Sequence, residues 1–178
     1  MKTYNYKAPF VKASTIQIDI CDSESYSIGN IKRYYKTVFH WFFDMWVGEY
    51  KFFSNFRAVD SNGEKVIEAF KKNYIMKPSE YQFSFLHGPY KGLILTAIQD
   101  GITIIHPVYK VAGNNINMTF KKENLERVKI YENNQEVGRW HISFTENFKA
   151  HIVIEEEATI RDPLFYAIAG QILYFVGD

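Results

Sequence analysis

Cysteine is almost missing from this chain: Cys21 is its one thiol, so no internal disulfide forms and too little sulfur is present for a zinc site. An excess of charge of either sign is missing too. Lysine and arginine number 21 against 20 aspartate and glutamate, a formal net charge of +1, which argues against strong general attraction to nucleic acid or an acidic surface. The opening stretch from Met1 to Phe10 lacks the apolar run of a secretory signal, so a cytosolic protein is the default expectation. Long hydrophobic runs are absent as well. Val38 to Val47 carries His40 and Asp44, and Leu164 to Val176 falls short of the roughly 20 apolar residues that a spanning helix needs, so neither is read as crossing a membrane. Disorder is excluded by the 47% of hydrophobic residues against 23% charged. What the chain has in plenty is aromatic: 15 Phe, 13 Tyr and 3 Trp make up 17% of its 178 residues. That enrichment favours strands, and the length suits one domain, residues 1–178.

Turn signals cut the chain into strand-sized pieces. Asn62-Gly63 is the strongest, the pair that a type I′ hairpin turn asks for; Gly88-Pro89, Asp100-Gly101, Gly113-Asn-Asn115 and Asn133-Asn134 are others. Between them apolar and polar residues alternate. Ile16, Ile18 and Ile20 alternate with Gln17 and Asp19, and Tyr81, Phe83 and Phe85 with Gln82 and Ser84. Val128 and Ile130 do so near Lys129, and Trp140, Ile142 and Phe144 around His141 and Ser143. Period-two patterning predicts half-buried strands. Leu93 to Ile98 and Ile102 to Ile105 alternate less, as strands covered on both faces would. Gly29-Asn30 interrupts a β-like run from Tyr26 to Lys36 and predicts a bulge or bend there. The pattern predicts roughly ten to twelve strands joined mainly by hairpins.

Two segments break the rhythm as helices. Thr37 to Val47 suits either helix or strand by composition. Asp162 to Val176 is better marked: Asp162 is an N-cap, Pro163 takes the first helical position and Gly177 stops the helix. Its apolar residues point all round, and Gln171 is the one strongly polar side chain. Such a helix must be surrounded, and in a chain of strands the wrapping is a curved sheet closed around it. The rival reading buries the helix in an oligomer interface. The expected fold is therefore mainly β, a closed antiparallel barrel around a hydrophobic C-terminal helix.

The hairpin Phe56 to Val66, the closing Asp162-Pro-Leu-Phe-Tyr-Ala-Ile-Ala-Gly-Gln-Ile-Leu-Tyr-Phe175, the opening Tyr6 to Ser14 and the run Ile28 to Lys36 resemble the tubby C-terminal-like superfamily. That group includes tubby domains, LURP-one-related proteins and phospholipid scramblases, and the chain is similar to its small bacterial members. The resemblance implies a roughly twelve-stranded barrel threaded by the C-terminal helix, and no catalytic residues. Eukaryotic tubby domains bind phosphoinositide headgroups through a basic pocket; no binding residue is carried across from that pocket to this chain.

The chain has no phosphate-binding Gly-rich loop, no Gly-x-Ser-x-Gly elbow and no His-Glu-x-x-His. Cys21 beside Asp22 is a poor nucleophile, because a neighbouring carboxylate raises a thiol pKa. His141 and His151 fall in neighbouring predicted strands where they could meet; two ordinary strand positions is the preferred reading, with no metal and no cofactor. The residues chosen as lipid or partner contacts are Lys32, Arg33 and Lys36 around Tyr34 and Tyr35, Arg127 and Lys129 on one strand face, and Trp41 and Trp46 in the aromatic run. An aromatic helix also serves to plug a barrel end, and for residues 38–47 that reading is preferred over lipid contact. The expected function is a non-enzymatic module that binds an anionic phospholipid headgroup or a protein at the inner membrane face, in the cytoplasm. Carriage of a small apolar ligand and a purely protein-binding role are the alternatives.

Overall fold

The computed structural model describes residues 1–46, 53–72, 78–101, 106–123 and 127–176. Twelve strands form the wall of a closed barrel: β1 (Lys2–Lys7), β2 (Gln17–Asp22), β3 (Ser27–Tyr34), β4 (Asn55–Asp60), β5 (Lys65–Lys72), β6 (Glu80–Phe85), β7 (Ile94–Gln99), β8 (Val108–Gly113), β9 (Ile116–Lys122), β10 (Arg127–Glu132), β11 (Gln135–Ser143) and β12 (Lys149–Ile154). Each strand pairs antiparallel with its neighbours in sequence, and β1 closes the ring on β12 through Lys2↔Ile154 to Lys7↔Lys149. No edge is left open, which removes the hazard that exposed strand edges carry. Helix α1 (Val38–Trp46) leaves the wall between β3 and β4, and α2 (Pro163–Gly170) runs into the lumen.

Alternation sorts the side chains as the sequence reading expects. Ile18, Ile20, Tyr81, Phe83, Phe85, Val128, Ile130, Trp140 and Ile142 all point inward and are buried. Ile16 and Phe144, grouped with these rows in the sequence, lie just outside their strands and are exposed. The row Leu93 to Ile98 is a correction. Leu95 and Ala97 face the core, but Ile94 and Ile98 are 49% and 46% exposed, so β7 is covered on one face only. Ile102 to Ile105 lies outside the described residues.

Turn chemistry also departs from expectation. Asn62-Gly63 is not a type I′ pair: Gly63 alone has positive φ, while the Asp60 carboxylate accepts from the backbone N–H groups of Asn62 and Glu64 at 2.9 Å each. The aspartate holds the loop and the glycine takes the left-handed position. The two-residue turns with both φ positive are Asn114-Asn115 and Asn133-Asn134, whose flanking residues pair directly. The bend expected at Gly29 is present. Ile20 pairs with Gly29 but Cys21 with Ser27, leaving Ile28 as the extra residue of a bulge. Gly29 has φ +151°, and a Cβ there would stand 2.5 Å from the Val59 carbonyl, so glycine is required.

The lumen is filled by α2. Its N-cap forms as read: the Asp162 carboxylate accepts from the Leu164 N–H at 2.9 Å, with Pro163 in the first turn. Burial pushes the Asp162 pKa up, and the backbone bonds of the cap pull against that. The helix is not α throughout. From Gln171 to Phe175 it widens into a π-helical segment, closed by Val176 N–H to Gln171 C=O at 2.8 Å. Gln171 finds its partner in the wall, donating to Tyr6 Oη at 3.0 Å, and Trp140 Nε1 donates to the same oxygen at 2.9 Å. Rings fill the space between: Phe165 meets Phe83 at 5.5 Å and Phe120 at 6.2 Å, and Tyr174 meets Tyr109 at 5.4 Å. The stop expected at Gly177 lies outside the described residues.

Gly170 has a specific neighbour, because a Cβ on it would fall inside the Trp140 indole. Alanine is the better helix former by about 1 kcal/mol, yet overpacking a filled core costs about 1–3 kcal/mol. It would also displace Trp140 from its bond to Tyr6, worth about 1 kcal/mol. Gly170→Ala is therefore expected to destabilise the fold, by about 2 kcal/mol, in urea unfolding. An unchanged midpoint would show that Trp140 is free to move aside.

Candidate functional site

Antiparallel closure gives the barrel two distinct ends. One gathers the ends of β1, β3, β5, β7, β9 and β11 and the starts of the strands that follow them. Helix α1 sits at this end, and so does Phe175, which lines a small cleft with Lys122 and Phe144. The start of α2 lies at the other, beside Asp60, His87 and Pro89.

Helix α1 is turned inside out. Of its nine residues, all described, Asp44 is the one that is buried. Val38, Phe39 and Trp46 are 80%, 72% and 72% exposed, and Trp41 and Phe42 are also exposed. The plug expected from its composition is thus not formed. The helix is fixed by its carboxylate instead. Asp44 Oδ2 accepts from Arg33 Nη2 at 2.7 Å and from Tyr35 Oη at 3.1 Å, and Oδ1 accepts from the Phe53 N–H at 3.2 Å. Arg33 Nη1 donates to the Lys12 carbonyl at 2.6 Å, tying the loop after β1 to the same post. Burial lowers the Arg33 pKa, and the Asp44 charge opposes that shift. Thr37 Oγ1 caps the helix by accepting from the His40 N–H at 3.2 Å.

Between α1 and the wall runs an open groove of about 570 Å³, bordered by Lys32, Arg57, Tyr34, Val38 and Trp41. Lys32 and Arg57 face each other directly across β3 and β4. Like charges in that position repel, so the pair gains from an anion placed between them, although Glu68 opposite Arg57 on β5 offsets part of the repulsion. Arg57 also lies 5.8 Å from the Tyr34 ring centroid, and Lys36 lies 5.8 Å from that of Phe70.

The seven residues chosen from sequence therefore divide. Lys32 and Trp41 line the groove, and Lys36 and Trp46 lie at the same α1 end outside it. Arg33, 1% exposed, is interior and holds α1 in place. Arg127 and Lys129 do share one outward face, but of β10, several strands round the barrel from β3. Lys129 is engaged there by Glu123 at 3.1 Å and Glu136 at 3.8 Å, which raises its pKa. Arg57, Tyr35 and Asp44 were not among the seven. Asp44 was detectable as the lone acid in an aromatic helix.

His141 and His151 do meet, stacked across β11 and β12 at 4.8 Å. His151 Nε2 lies 3.1 Å from Glu146 Oε2, a carboxylate the sequence reading did not place nearby. Burial, then His151 and Arg127, lower the His141 pKa. Among the described residues no group of three or more His, Cys, Asp or Glu side chains is placed to hold a metal. Nor, among them, is any helix long and apolar enough to cross a membrane.

Charge is polarised along the barrel. Lys7, Lys36, Lys72, Lys122, Arg127 and Lys149 lie at strand ends or loops of the α1 end, offset in part by Glu80, Asp100, Glu123 and Glu146. The opposite end carries Asp22, Asp60, Glu132, Glu155, Glu156 and Asp162, offset in part by Lys2, Lys65, Lys91 and Arg161. A near-neutral total thus conceals a basic end and an acidic one.

A closed antiparallel barrel of twelve strands with an apolar helix in its lumen, and a basic, aromatic end, defines a class of helix-filled β-barrel domains. The family model of the Tubby C-terminal like domain matches residues 4–176, and the chain belongs to that family. No curated protein and no solved structure matched it.

Proposed function

We propose that this protein is a non-enzymatic tubby-like domain, one folding unit over residues 1–178, that binds anionic phospholipid headgroups at the cytoplasmic face of a membrane through its α1 end. Tubby-like domains are generally non-enzymatic and bind lipids or proteins. The observation that carries the lipid reading is the orientation of α1, whose buried residue is a carboxylate while its Trp and Phe side chains face outward. Aromatic side chains of this kind suit the interface between headgroups and acyl chains. Lys32, Lys36 and Arg57 flank them at headgroup level, where each cation near an anionic surface contributes about 1 kcal/mol. The lumen offers little to an apolar cargo, since α2 and the π-helical segment fill it.

Sedimentation with phosphatidylserine-containing and purely phosphatidylcholine vesicles tests this. The protein is expected to follow the anionic vesicles and to be released as salt rises past about 0.5 M, because surface attraction is screened within a few ångströms there. Trp41→Ala with Trp46→Ala is expected to weaken association at least tenfold, each indole being worth about 1.5–3 kcal/mol when buried. Melting should be nearly unchanged, because both side chains are exposed. No association at low salt removes the lipid reading.

A further inference from the structure

The α1 end carries a second apolar cluster, on the loops that join β1 to β2 and β11 to β12. Phe10 is 80% exposed and meets Phe148 edge-on at 5.3 Å; Phe144, 55% exposed, also meets Phe148 edge-on at 5.3 Å. Phe148 is half-buried against the core and serves as the post for both. The turn that presents them is unusual. Asn147 and Phe148 both have positive φ, 58° and 62°, a conformation that is rare and costly for a bulky residue. It is held by hydrogen bonds from the Asn147 N–H to the Phe144 carbonyl (3.3 Å) and from the Ala8 N–H to the Phe148 carbonyl (2.9 Å). The strained backbone thus carries Phe148, the half-buried ring against which the exposed Phe10 and Phe144 pack.

Cations accompany this cluster as they accompany α1. Lys7 and Lys149 face each other directly across β1 and β12, and neither makes an ion pair among the described residues. Like charges so placed repel and gain from a shared anion. From Phe10 the apolar rim continues through Val11 and Ile16, both exposed, and the loop that carries them is tied by the Lys12 carbonyl to the Arg33–Asp44 post under α1. The two clusters lie on different arcs of one barrel end, so a flat surface touching both lies across the barrel axis. The acidic residues gathered at the far end would be repelled by an anionic surface, and this favours the same orientation.

We infer that Phe10, Phe144 and the Lys7–Lys149 pair form a second contact with an anionic bilayer, so that the barrel docks end-on with α1 and the Phe144–Phe148 turn touching the membrane together. This rests on the lipid reading above, and extends it from a groove to an oriented surface.

The test uses the full chain on vesicles of phosphatidylserine and phosphatidylcholine, with Phe10→Ser/Phe144→Ser, Lys7→Glu/Lys149→Glu and, as a control on the barrel wall, Ile94→Ser. Both double variants are expected to lose at least tenfold in partition at low salt, the lysine pair with a shallower salt dependence, while Ile94→Ser binds as the parent does. Should the phenylalanine variant lose its fold, the lysine variant, which leaves the core untouched, decides alone. If the parent binds and both double variants bind equally well, contact is through α1 alone and end-on docking is wrong. If the parent partitions equally into neutral vesicles, the anionic contact is wrong. If the parent binds no vesicles, both the inference and the lipid reading fall.

Discussion

Leu173→Asp is expected to abolish folding. Leu173 is fully buried in the π-helical segment, inside a wall that closes on all sides. Loss of the leucine contacts costs about 2–5 kcal/mol, and an unpaired carboxylate in that interior costs several more even after relaxation. A domain of this size has roughly 5–15 kcal/mol in all, so the sum consumes most or all of it. The expected readout is insoluble product, or a soluble chain with no cooperative thermal transition. Leu173→Met, which preserves volume, should lose less than about 1.5 kcal/mol and serves as the control. A folded Leu173→Asp with a normal melting temperature would mean that the segment is wet, and an enclosed helix would be untenable.

What the sequence disclosed followed from periodicity, and what it concealed followed from where periodicity is silent. Tyr81, Phe83 and Phe85 alternate with polar residues, so their inward face was legible. In Leu93 to Ile98 the outward positions carry Ile94 and Ile98, and an apolar residue at a solvent position erases the distinction between one covered face and two. Arg33 was read as a surface cation by its type, although its parity placed it inside: Gly29, Ile31 and Arg33 are the three buried positions of β3, while Lys32 between them faces outward. Helix α1 misled in the opposite direction. Hydrophobicity identifies which residues could be buried, but here the anchor is Asp44 and the aromatics are displayed, an inversion that composition cannot encode. The type I′ turn was expected at Asn62-Gly63, yet Asp60 captured that loop through its carboxylate, and the two-residue turns with both φ positive fall at the Asn-Asn pairs, which the sequence reading marked as turns without a type. The pairing of His141 with His151 needed only the register of one hairpin and was within reach. The polarity of the barrel was not, because it depends on which strand ends fall together.

Asp44→Ala is expected to cost about 3–5 kcal/mol, since it removes the carboxylate that balances the buried Arg33 guanidinium. The Tyr35 hydroxyl and the Phe53 N–H lose their acceptor in the same step. Arg33→Ala should cost a similar amount for the mirror-image reason. The pair tests the anchor better than either change alone, because the double change removes the two buried charges together: Arg33→Ala/Asp44→Ala should be more stable than the sum of the single losses predicts. Chemical denaturation of the four proteins gives that coupling, expected at about 2–3 kcal/mol for contacting residues. The double variant also separates fold from function. The barrel keeps its wall and its lumen helix, but α1 loses the post that holds it with its aromatic side outward. Its melting temperature should therefore fall by less than the two single losses combined, while its affinity for anionic vesicles falls as far as in either single variant. If its affinity for anionic vesicles matches that of the parent, the indoles reach the bilayer without the anchor, and the Arg33–Asp44 bridge serves the barrel alone.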